Sequence, residues 1–94
     1  MHFIELDGAS WQSHDDFYSA LLSRLGAPDW HGRNFDALND TLRGGDINAV
    51  NPPITFVVTG IDAMGSEARH TVTRFGELIS DLRAEGVPVS VEWH

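Results

Sequence analysis

Ninety-four residues set the scale of one domain, near the small end of the range in which a single hydrophobic core holds a fold unaided. With no cysteine, disulfides, thiolate metal sites and catalytic cysteines are all excluded. Fourteen Asp and Glu against six Arg and no Lys give a formal charge of −8, which repels nucleic acid and anionic lipid and favours a basic partner.

The opening stretch MHFIELDG has neither a basic leader nor a long apolar run, and no window approaches the ~20 apolar residues of a membrane span. The expectation is one domain over residues 1–94, in the cytoplasm, without membrane or nucleic-acid partners, and monomeric when free. His2 to Leu6 forms a short apolar segment ended by the turn signal Asp7-Gly8, a first strand. Ser13 is placed to cap a helix with Asp15 and Asp16 in its first turn, where carboxylates suit the helix dipole. Phe17, Leu21 and Leu25 recur along it at fours, and Gly26 stops it.

Asn34 is placed to cap the next helix, in which Phe35, Leu38 and Leu42 follow at three and four until Gly44-Gly45. After Asn51-Pro52-Pro53, the run Ile54-Thr55-Phe56-Val57-Val58 is nearly continuous in apolar and β-branched residues. It predicts a central strand covered on both faces. Ser66 begins a long helix whose stripe is Ala68, Val72, Phe75, Ile79 and Leu82, with Gly86 closing it. Gly76 inside that helix costs about 1 kcal/mol relative to Ala and predicts close packing. Val87, Val89 and Val91 alternate with Pro88, Ser90 and Glu92, and Pro88 puts this third strand at an edge or delays its start. The order β-α-α-β-α-β, with helical crossovers, predicts an α/β domain built on a small three-stranded parallel sheet.

The short second helix has an unusual outer face. At 100° per residue, with Phe35 at zero, Leu38 and Leu42 fall at about 300° and 340°, whereas Asp36 and Asp40 fall at about 100° and 140°. Like charges spaced by four destabilise an isolated helix by about 0.2–0.5 kcal/mol, so something outside the helix has to favour them. Asn39 and Arg43 lie on the shoulder of this outward face, and Trp30, His31 and Gly32 stand just ahead of it. An aromatic beside projecting acids has the composition of a recognition surface, although each of these residues also fits a solvated face. On the last helix, Glu77, Asp81 and Glu85 recur at fours as an acidic ridge.

The segment Trp30-His31-Gly32-Arg33-Asn34-Phe35-Asp36-Ala37-Leu38-Asn39-Asp40-Thr41-Leu42 resembles the one that marks the barstar family of ribonuclease inhibitors. The resemblance runs over essentially the whole chain, including Leu6-Asp7-Gly8 and Arg83-Ala84-Glu85-Gly86. It implies a three-stranded parallel sheet with helices, no cofactor, no metal and no catalysis. The implied function is 1:1 inhibition of a small basic secreted ribonuclease. By this resemblance Asp40 enters the site that binds RNA phosphate and Asp36 pairs with neighbouring basic side chains. Trp30 packs on a nuclease histidine, Gly32 brings its backbone close to the enzyme, and Asp81 is an acidic contact from the last helix. Asn34, Asn39, Arg43 and Gly44 complete the expected binding set. His31 is expected at the rim, where its protonation would oppose a basic partner.

Two departures stand out. Asn39 and Gly45 replace family aromatics, and Arg33 and Arg43 are odd on a surface meant for a basic enzyme. The arginines suggest either acidic groups on the partner or internal neutralisation of Asp36 and Asp40. An enzyme using Asp36 with Asp40, or Asp62 beyond the central strand, is the rival class. Yet there is no nucleophile elbow, P-loop, GxGxxG or HExxH, and the histidines lack ligand spacing. Immunity against another toxin nuclease and a regulatory binding module are the remaining alternatives.

Overall fold

Ile4 and Leu6 point one way and Phe3, Glu5 and Asp7 the other, and this alternation forms the first strand, β1 (His2–Asp7). The computed structural model describes residues 2–28, 31–44, 48 and 50–94. The further elements are α1 (His14–Leu25), α2 (Phe35–Leu42), β2 (Ile54–Thr59), a 3-10 turn (Ile61–Ala63), α3 (Ser66–Ala84) and β3 (Val89–Trp93). Strand β2 lies between β1 and β3, and both pairings are parallel. Phe56 sits opposite Ile4 on one side and Val91 on the other. Parallel neighbours need crossovers, and α1 with α2 supplies the first while α3 supplies the second.

Local signals start and stop these helices as the sequence predicts. The Ser13 hydroxyl accepts from the Asp16 N–H at 3.3 Å, while the Asp16 carboxylate accepts from the N–H groups of Ser13 at 3.2 Å and Gln12 at 2.8 Å. This reciprocal cap satisfies amide groups that the first turn leaves unpaired. Gly26 ends α1 with φ 67, a left-handed conformation suited to glycine. Strand β3 starts after Pro88, whose carbonyl accepts from the Ile54 N–H at 3.1 Å.

All three helices contribute to one core on one side of the sheet. Phe75 of α3 lies 5.2 Å from the Phe17 ring of α1 and 5.1 Å from the Phe56 ring of β2, and all three rings are fully buried. Burying a ring of this size contributes about 1.5–3 kcal/mol. The predicted two-sided cover of β2 is not observed. On the outer face Phe3 is 66% exposed and Val57 and Thr59 are only half-buried, while Thr55 is buried beside Ser90 of the neighbouring strand. The apolar run reflects a central strand screened by its neighbours rather than a second helical layer. At Gly76 the expected close packing is present, because a Cβ there would stand 2.8 Å from the Trp93 ring.

The bonds from Gln12 and Ser13 hold the Asp16 carboxyl below its ordinary value of 3.8. A depressed folded value adds stability above the unfolded value and loses it as pH falls through the folded one. Asp16→Ala is therefore expected to melt below the parent at pH 7 and to converge with it well below pH 3.8. Thermal melts of both proteins across that range check this; an equal gap at every pH contradicts it.

Candidate functional site

The acidic face is set up by the way α2 begins. Asn34 has an extended backbone, φ −155, and its side-chain oxygen accepts from the Ala37 N–H at 2.8 Å. From that start, Leu38 and Leu42 turn fully into the core and Phe35 packs on Tyr18 of α1, ring centroids 5.7 Å apart. Asp36 and Asp40 are left on the opposite, exposed side. Among the described residues, neither carboxylate has a hydrogen-bond or ion-pair partner.

The two arginines do not neutralise these acids. Arg33 turns to α1, where its guanidinium donates to the Asp15 carboxylate at 3.1 Å, the Asp15 carbonyl at 2.8 Å and the Ser19 hydroxyl at 2.7 Å. Arg43, at the end of α2, donates to the Glu85 carboxylate at 2.6 Å and to the Asn39 side-chain oxygen at 3.2 Å. Internal neutralisation of Asp36 and Asp40 is thereby overturned: the guanidinium groups reach the Asp15 carboxylate on α1 and the Glu85 carboxylate just beyond α3. The same bonds engage Asn39, which is half-buried.

His31 is also placed differently from the expectation. It is 6% exposed, so it is not a rim residue. Its Nδ1 lies 2.8 Å from the Gly32 carbonyl and Nε2 lies 3.2 Å from the Thr41 hydroxyl. A carbonyl only accepts, so Nδ1 carries a hydrogen. The Thr41 hydroxyl in turn stands 3.1 Å from the Leu38 carbonyl. The ring bridges the segment before α2 and the last turn of that helix, and it is buried there.

Gly32 is half-buried and is not in the left-handed region; the reason for glycine is space. A Cβ there would lie 3.0 Å from the Asn34 amide nitrogen and 3.1 Å from the Ala37 Cβ, crowding the cap. Gly44 is exposed with φ 126, in open space just beyond α2. Asp81 is exposed on α3, one helical turn before Glu85, where α2 is tied to α3. Trp30 and Gly45 lie outside the described residues. The structure thus brings together Gly32, Asn34, Asp36, Asn39, Asp40 and Arg43 on or beside α2. Asp62 is exposed in the 3-10 turn, with no nucleophile or histidine bonded to it among the described residues. Among the described residues there is also no group of three or more potential metal ligands, and no helix is long and apolar enough to cross a membrane.

This geometry is an outward acidic helix held by a cap. The family model described as Barstar (barnase inhibitor) matches residues 1–93. The chain belongs to the barstar family. It is also similar to a protein of Bacillus subtilis (strain 168) named "Putative ribonuclease inhibitor YrdF", at 30% identity over 89 residues, covering 90% of this chain and 93% of that protein. In this barstar-family chain the supporting residues Thr41, Asp15, Ser19 and Glu85 gave no local signal of their roles. Their partners lie 10, 18, 14 and 42 residues away.

Thr41→Val keeps the volume of the side chain but leaves the buried Nε2 of His31 without its partner. The loss expected is about 1–3 kcal/mol of stability, read as a lower urea midpoint at unchanged slope. An unchanged midpoint would show that the His31 bridge does not hold this segment.

Proposed function

We propose that this barstar-family chain is a stoichiometric inhibitor of a small, basic, secreted ribonuclease of the barnase type. Helix α2 and the segment before it plug the enzyme's active site, and the protein acts in the cytoplasm of the cell that makes the enzyme. One observation supports the reading: Asp36 and Asp40 project together without a partner among the described residues, while Arg33 and Arg43 are engaged with other carboxylates. The local helix gains nothing from that pair of charges. A site built to bind RNA phosphate does.

In this reading Asp40 takes the place of a phosphate, accepting from an arginine fork or lysines, and Asp36 meets the basic groups beside it. Trp30 packs on a nuclease histidine, and Asp81 adds a carboxylate from α3. Gly32 brings its backbone close to the enzyme, and Asn34, Gly44, Asn39 and Arg43 complete the contact set around it. His31 supports the surface from below. The chain contributes no chemistry of its own; it denies the substrate access. A formal charge of −8 steers a basic enzyme toward this face, a contribution that salt screens.

The test is titration of a panel of small basic ribonucleases, barnase included, with RNA cleavage as the readout. A 1:1 endpoint is expected for at least one enzyme, with an association rate that falls steeply as salt rises. Asp40→Ala should keep a melting temperature close to the parent's, because the carboxylate makes no core contact. Its affinity should fall by about 2–5 kcal/mol or more, a magnitude that includes measurements made on barnase and barstar themselves. Inhibition by Asp40→Ala equal to the parent's would return Asp36 and Asp40 to an ordinary solvated helix face.

A further inference from the structure

We infer that Arg33 is a positioning residue of the inhibitory face, holding the capped start of α2 against α1 before any enzyme arrives. The inference rests on the inhibitor reading above and adds to it a group that touches no enzyme atom.

Helix α2 has eight residues, far fewer than the roughly 12–15 an isolated helix needs to be even marginally stable in water. Its start must therefore be fixed from outside. Arg33 and Phe35 flank the cap residue Asn34 on either side, and both reach α1. The guanidinium lies across the ridge formed by Asp15 and Ser19, one helical turn apart, using three acceptors at 2.7–3.1 Å. The Phe35 ring meets Tyr18 on the same helix. Asn34 is thus pinned between a polar tether and an apolar one. Where Asn34 sits decides where the axis of α2 starts and where Asp36 and Asp40 project.

Arg33 and Asp15 are both substantially exposed, 43% and 68% by side chain, and an exposed ion pair adds little to global stability. Its effect belongs to geometry. A loosened start would let α2 sample directions that do not fit the enzyme, and the ordering would then have to be completed on binding. The charge also explains itself. A free arginine beside Asp36 would repel a basic enzyme, whereas this one is matched to the Asp15 carboxylate, and two further acceptors keep it there.

Electrostatics alone and positioning make opposite predictions for Arg33→Gln. Removing a positive charge makes the chain more acidic than its formal −8, so steering alone gives tighter binding to a basic enzyme. Loss of positioning gives faster dissociation. Ser19→Ala removes one tether bond without changing any charge. The experiment compares the parent, Arg33→Gln, Ser19→Ala and Arg33→Lys against barnase, or against the panel ribonuclease the parent titrates. It measures association and dissociation rates, together with hydrogen exchange of the Ala37 amide, the group capped by Asn34, in the free proteins.

We expect dissociation to rise about three- to tenfold for Arg33→Gln and for Ser19→Ala, with faster Ala37 exchange in both. Association of Arg33→Gln at low salt should be no slower than the parent's. Arg33→Lys keeps the charge but lacks the fork, and should fall between. Unchanged dissociation and exchange in both Arg33→Gln and Ser19→Ala, or tighter binding by Arg33→Gln, overturns the inference while leaving the inhibitor reading standing. A parent chain that titrates no ribonuclease overturns both.

Discussion

Phe75 packs on Phe17 of α1 on one side and on Phe56 of β2 on the other, and through these contacts the two crossovers share one core. Parallel strands cannot be joined by tight turns, so each connection has to travel the length of the sheet and return. In this chain the helical layer lies against the face carrying Ile4, Phe56 and Val58. Helices α1 and α3 occupy that layer with long apolar stripes. Helix α2, much shorter, is inserted between the end of α1 and the start of β2, with Leu38 and Leu42 inside and its remaining surface turned out. The outward acids exist because the core takes only one narrow side of this helix.

The charges follow the same division. Arg33 of the segment before α2 pairs with Asp15 of α1, and Arg43 at the end of α2 pairs with Glu85 beyond α3. Each is exposed and of small energetic weight alone. Together they tie α2 at both ends to its two neighbours. The result is a positive charge withdrawn from the outer face at each end of α2, with Asp36 and Asp40 between them unmatched among the described residues. Fixed, unpaired carboxylates on a rigid element are an unfavourable arrangement for the free protein and a favourable one for a complex with a basic site.

His31 shows how a residue of a recognition segment serves from inside. Its ring joins the Gly32 carbonyl to the Thr41 hydroxyl, and Thr41 reaches the Leu38 carbonyl. A buried imidazole with both nitrogens engaged fixes the shape of the segment next to Gly32. At Gly32 itself, added volume would press on Asn34 and Ala37. Cap, glycine and bridge therefore act on the same few residues from three directions.

Much of this was determined by the sequence alone, wherever the cause is local. Ser13 with Asp16, Asn34 with Ala37, and Gly26 all act within four residues of themselves, so helix limits were legible from residue type and spacing. The stripe Phe35, Leu38 and Leu42 likewise set which side of α2 faces out, since helix geometry converts spacing into direction without reference to the rest of the chain. The crowding at Gly76 was legible as a glycine without a local reason, though not that Trp93 fills the space. Tertiary structure alone decided what lies across from each residue. Arg33 finds Asp15 and Ser19, Arg43 finds Glu85, and His31 finds Thr41 through packing of segments far apart in sequence, and an arginine carries no spacing signal for such a partner. The single-sided cover of β2 was hidden for the same reason: a central strand is screened by its two neighbours, and an apolar run reads alike whether the screen is a strand or a helix.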